Sequence, residues 1–155
     1  MKQRTVAIPL AAAMCAWLAP AAHAHHSHPA FYDFCKRITV EGRIDSVEWK
    51  APHTQIRLAL DDGTTFRVEW GSPGILDRQG VGAAAQKALT PGARLVVVGM
   101  PQRDPAAIKA RFPTVTVTET RVVDPLQMRR ADDSWSWALP SNPNPNSNPS
   151  PCDSK

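Results

Sequence analysis

Arg37-Ile38-Thr39-Val40-Glu41-Gly42-Arg43-Ile44-Asp45-Ser46-Val47-Glu48-Trp49 is the stretch on which the fold turns. Ile38, Val40 and Ile44 alternate with Thr39, Glu41, Arg43 and Asp45, the period-two pattern of a half-buried strand. Gly42 sits on the apolar side, and Val47 and Trp49 fall on the opposite parity. The strand is therefore expected to bulge near Asp45–Ser46 and to curl at Gly42. A long curled first strand suits a small barrel.

Downstream, Ala51-Pro52-His53 breaks the pattern, and Thr54 to Leu60 resumes it with Ile56, Leu58 and Leu60 inward. Asp61-Asp62-Gly63 supplies a hairpin turn, and Thr64 to Trp70 returns with Phe66, Val68 and Trp70 inward. Gly71-Ser72-Pro73 ends this third strand, with Ser72 as helix cap and Pro73 at the first helical position before Ile75 and Leu76. Gly80 and Gly82 interrupt the helix, and Ala83 to Leu89 adds a further helical turn or two. Thr90-Pro91-Gly92 turns the chain into Arg94 to Met100, where Leu95-Val96-Val97-Val98 is apolar on both parities and predicts a central, covered strand. Pro101 to Lys109 reads as a loop. Val115 and Val117 among Thr114, Thr116, Thr118 and Thr120 predict a fifth strand running towards Val123.

Three strands, a short helical connection and two more strands is the order of an all-β, five-stranded OB-like barrel, placed over residues 37–125. An open β-sandwich or another small antiparallel barrel is the rival, because pattern alone does not fix pairing. Residues 25–36 form a histidine-rich segment before the barrel. Residues 126–139 form an extension in which Trp135, Trp137 or both are expected to pack back onto it. Residues 140–155 are Pro, Asn and Ser with few exceptions, the composition of a disordered tail.

At the other end, Lys2 and Arg4 precede the uncharged stretch Val6 to Leu18, and Ala22-His23-Ala24 has the small-x-small form that signal peptidase accepts. Residues 1–24 therefore read as a signal peptide, and the mature protein is expected to begin at His25 in the periplasm or outside the cell. The apolar stretch contains Pro9 and falls short of the roughly 20 residues a membrane span needs. Of the chain's 18 Lys+Arg and 14 Asp+Glu, only Lys2 and Arg4 leave with the leader, so the remainder is nearly neutral. With no basic run longer than Arg129–Arg130, nucleic acid is excluded as an expected partner. Cys15 also lies in the leader, leaving Cys35 and Cys152 in an oxidising space. A disulfide between them would be worth up to about 4–5 kcal/mol by chain entropy, but free thiols or an intermolecular bridge fit the count equally.

The chemistry-bearing residues are few. An amino-terminal His25 chelates a metal through its amine and its ring nitrogen, and His26, His28 or His53 would complete a nitrogen site of the kind that suits copper(II). The amine loses its proton readily, since its ordinary pKa is about 7.7–8.0. Against this stands a frayed, solvated chain end. His53 occupies the loop between strands one and two, which borders the ligand face in OB folds, and a turn-capping role is its alternative. A second class of function is an accessory module that binds a peptide or glycan on a face formed by Trp49, Phe66 and Trp70. Glu69 reads as a rim residue without a carboxylate partner. No Gly-x-Ser-x-Gly elbow or phosphate loop occurs, so enzymatic activity is the weaker class.

Several of these residues together carry a resemblance. His25-His26-Ser27, Phe31-Tyr32-Asp33, Gly42, Trp49, Pro52-His53, Glu69, Gly71-Ser72-Pro73, Leu76 and Thr90-Pro91-Gly92 are similar in order and spacing to a family of small exported bacterial proteins of uncharacterised function. The resemblance runs from His25 to Val123 and implies an exported, periplasmic β-barrel. Ala51 and Ala93 stand where that family's pattern has Asn and Asp. Loss of the Asn removes a side chain able to brace the turn at His53.

Overall fold

The computed structural model describes residues 28–140. Residues 1–27, with the expected leader, His25 and His26, and residues 141–155, with Cys152, lie outside the described residues. The elements are α1 (His28–Phe31), β1 (Ile38–Glu48), β2 (Thr54–Ala59), β3 (Thr65–Trp70), α2 (Pro73–Arg78), α3 (Gly82–Ala88), β4 (Arg94–Pro101), α4 (Pro105–Arg111), β5 (Val122–Arg130) and β6 (Ser136–Ala138).

The alternation of β1 is realised as two partnerships. Ile38 to Arg43 pairs with β4, and Arg43 to Glu48 pairs with β2, so one long strand turns the corner of the sheet. The predicted bulge is there, as a register shift between Ile44 and Ser46 in the β1–β2 ladder. Gly42 lies at the bend because a Cβ would stand 2.8 Å from the Ala59 carbonyl oxygen. The strands run in the order β3-β2-β1-β4-β5-β6. A short parallel pairing, Arg67 with Val122 and Val68 with Val123, joins β3 to β5 and closes the first five into an OB-like barrel. That closure rules out the open sandwich. Ile44, Ile56, Leu58, Leu95 and Val97 fill the interior at 0–1% exposure.

The hairpin turn and the β3–β4 connection follow the sequence. Gly63 takes a φ of 80°, which a side chain rarely adopts. The Ser72 hydroxyl accepts from the Ile75 N–H with Pro73 in the first turn, and two short helices, α2 and α3, lead to β4. In β4 the apolar run is split by parity: Leu95 and Val97 are buried, while Val96 and Val98 are half-buried on the outer side.

Two expectations are corrected and one element is added. The threonine-rich run is not the fifth strand. Val115, Val117 and Glu119 face the protein while the threonines between them are exposed, but residues 114–120 join no ladder and form a strap. β5 follows instead, with Pro125 where the β4–β5 register shifts, a position at which a missing N–H is tolerated. Pro101 to Lys109 is not all loop either, since Pro105 begins α4 behind an Asp104 cap whose carboxylate accepts from the Ala106 N–H at 2.7 Å. Finally, β6 adds a sixth strand outside the barrel. Both Trp135 and Trp137 pack back, edge to face on Trp70 with centroids 6.2 and 5.0 Å away. Among the described residues, no helix is long and apolar enough to cross a membrane.

Candidate functional site: the cleft between arm, barrel and strap

Outward parity places Arg67 and Glu69 on the surface of β3, because Phe66, Val68 and Trp70 take the inward positions. The β1–β2 loop, with a cis peptide at Ala51-Pro52, brings Pro52 and His53 beside them. The strap Val115–Glu119 forms the opposite wall, and Phe31, Tyr32 and Gln102 complete a cleft of about 290 Å³. In OB folds the β2–β3 face between these two loops is where ligands bind.

The arm that carries Phe31 and Tyr32 is fastened through its backbone. The Asp33 N–H donates to the Pro101 carbonyl at 2.9 Å and the Arg103 N–H to the Phe31 carbonyl at 2.8 Å, while Arg103 Nε donates to the Pro29 carbonyl at 3.1 Å. Tyr32, 5% exposed, reaches across and donates its hydroxyl to Glu69 Oε2. Burial first, and then the charge of Glu69, push the phenol well above its ordinary pKa. It therefore stays neutral and keeps its proton for the carboxylate.

From Glu69 the contacts continue to the strap. Glu69 Oε1 lies 3.2 Å from Arg67 NH2, and Arg67 Nε lies 3.2 Å from Glu119 Oε2, without the alignment of a hydrogen bond. Arg57 NH1 donates to Glu119 Oε1 at 3.2 Å. Two carboxylates and two guanidiniums thus compensate one another. The strap is also held at its start, where Phe112 stacks on Phe31 at 5.5 Å, and at its end, where the Arg67 N–H donates to the Arg121 carbonyl at 2.9 Å. Between those points Thr116 to Thr120 make no backbone hydrogen bond among the described residues.

Of the candidate ligands, His53 lies half-buried in this cleft. His25 and His26 lie outside the described residues, and His28 enters as the first residue of α1. No group of three His, Cys, Asp or Glu able to hold a metal occurs among the described residues. The residues of the expected aromatic face differ in access, with Trp49 and Phe66 half-buried. Trp70 is 4% exposed inside the barrel, with Trp49 edge-on at 6.4 Å, and Phe66 packs against the same core. Cys35 is disulfide-bonded, and its partner lies outside the described residues. Sequence reasoning missed Tyr32, Arg67 and Glu119 as site residues. Parity on β3 was the available signal for Arg67, whereas nothing local marks the strap as its neighbour.

Fold and cleft together define a small OB-like barrel with a cleft of about 290 Å³ across its β3 face. The chain belongs to a family of unknown function, DUF6152, whose profile matches residues 13–110. Among solved structures, the crystal structure of the S. pombe Stn1-Ten1 complex is similar with a TM-score of 0.44 and 11% identity, over 70% of this chain and 70% of that one. No curated protein matches.

Proposed function

We propose that this is an exported periplasmic binding protein that holds a divalent metal, copper first, at the mouth of the cleft. His25 would bind through its amine and ring, His26 or His28 would add an imidazole, and His53 would close the site from the β1–β2 loop. One observation carries the reading: Phe31 and Tyr32, a few residues beyond His28, line the same cleft as His53. An extended chain covers roughly 3.3–3.6 Å per residue, so the three residues before α1 could span up to about 10 Å towards that imidazole. Nitrogen donors in this number favour copper(II) over the harder cations.

The test is a Cu(II) titration of export-processed protein, read by calorimetry and EPR, beside His53→Ala and a form extended by one residue before His25. Tight one-to-one binding with nitrogen ligands, lost on extension and weakened at least tenfold by His53→Ala, is the expected result. Weak binding that neither change affects would sink the reading. The second reading is an accessory module that binds a peptide or glycan on Trp49, Phe66 and Trp70 or in this neighbouring cleft, whose volume approaches the lower end of ligand pockets. Metal-independent ligand binding lost on filling the cleft with Thr118→Trp would favour it. A copper-dependent oxidase is a third class, and failure of the copper-loaded protein to consume oxygen with a reductant present would remove it.

A further inference from the structure

Glu69 stands where the two walls of the cleft meet. One of its oxygens takes the Tyr32 hydroxyl from the arm, and the other faces Arg67, which in turn lies against Glu119 of the strap. We infer that Glu69 is a positioning residue: through Tyr32 it holds the amino-terminal arm beside the His53 loop, and through Arg67 it holds the strap, so that one carboxylate sets the separation of the walls. In its copper-dependent part this rests on the metal reading above.

The geometry separates the two tasks. Glu69→Gln keeps an acceptor for the Tyr32 hydroxyl and removes the charge facing Arg67, so it weakens the hold on Arg67, while Glu119 of the strap keeps its bond from Arg57, and it spares the arm. Glu69→Ala releases both. Tyr32→Phe releases the arm alone, with the ring still filling its buried place beside Met100 and Val122.

The decisive experiment measures hydrogen exchange without metal and copper affinity in parallel. The Asp33 amide, which donates to the Pro101 carbonyl, and the Arg103 amide, which donates to the Phe31 carbonyl of the arm, are the arm's reporters. Their exchange is expected to rise at least tenfold more than that of the Leu95 and Val97 amides, which report global unfolding, in Tyr32→Phe and Glu69→Ala, and to change no more than theirs in Glu69→Gln. Unchanged arm exchange in Glu69→Ala, or equal release by Glu69→Gln, overturns the inference. For copper, Tyr32→Phe is expected to weaken binding about tenfold with His53 present and to add nothing in a His53→Ala background, because the arm is then no longer being brought to a ligand. Additive losses would overturn the positioning role. If wild-type protein binds no copper, the metal reading fails, and the exchange data alone decide the fate of Glu69.

Discussion

Tyr32 is a buried phenol whose proton is committed to a carboxylate, and its protonation has a calculable consequence. Its folded pKa is raised above the ordinary value near 10, so folding favours the neutral phenol. That contribution is fully present below pH about 10 and is lost as pH rises through the ordinary value towards the raised one. Tyr32→Phe is therefore expected to cost about 2 kcal/mol at neutral pH, the worth of a hydrogen bond to a charged group, with the gap to wild type narrowing above pH 10. Urea titrations of both proteins from pH 7 to 11 measure it. Gly99 makes the opposite kind of point, since it needs space rather than charge. A Cβ there would lie 2.4 Å from the Asp124 carbonyl oxygen and 2.6 Å from Val123 Cγ2. Gly99→Ala should destabilise by roughly 1–3 kcal/mol, seen as a lower urea midpoint.

At the scale of elements, the strap and β6 are the parts whose loss is most informative. Glu119 is the strap's ionic fastening near its end, so Glu119→Gln should speed tryptic cleavage at Arg121 severalfold while leaving the unfolding free energy from urea titration within about 0.5 kcal/mol. Trp137 is 9% exposed and plugs the barrel against Trp70. Trp137→Ala is expected to cost about 3–5 kcal/mol by the same titration. Elements were legible where a local rule decided them: the parity reversal at Val47 announced the bulge, and Ser72-Pro73 announced α2. The Asp104-Pro105 pair carried the same cap signature for α4. The fifth strand was not legible, because alternation records which side chains face the protein and not whether the backbone has a partner. Val115, Val117 and Glu119 satisfy the first condition without the second. The cleft was still harder to read, since its walls come from the arm, the β1–β2 loop, β3 and the strap.

At the scale of the molecule, the two ends of the described chain converge. The Leu139 N–H donates to the Leu126 carbonyl at 2.7 Å, and Leu126 packs against the same Tyr32, Met100 and Val122 cluster as Phe34, the neighbour of Cys35. The stretch from Leu139 to Cys152 spans up to roughly 40 Å when extended, ample for a return to Cys35. Peptide mapping of exported protein without reductant should therefore yield Cys35 joined to Cys152, and recovery of Cys152 as a free thiol would contradict the pairing. The tryptophans hold a last consequence. Trp17 belongs to the predicted leader, and Trp49, Trp135 and Trp137 all surround Trp70 within 6.4 Å. Processed protein would thus carry its indoles as a single exciton-coupled chromophore, set where the first loop, the barrel interior and the last strand meet. Its near-ultraviolet circular dichroism and fluorescence would report on that junction alone, an optical gauge that changes when β6 lifts away, even while the rest of the barrel stays closed.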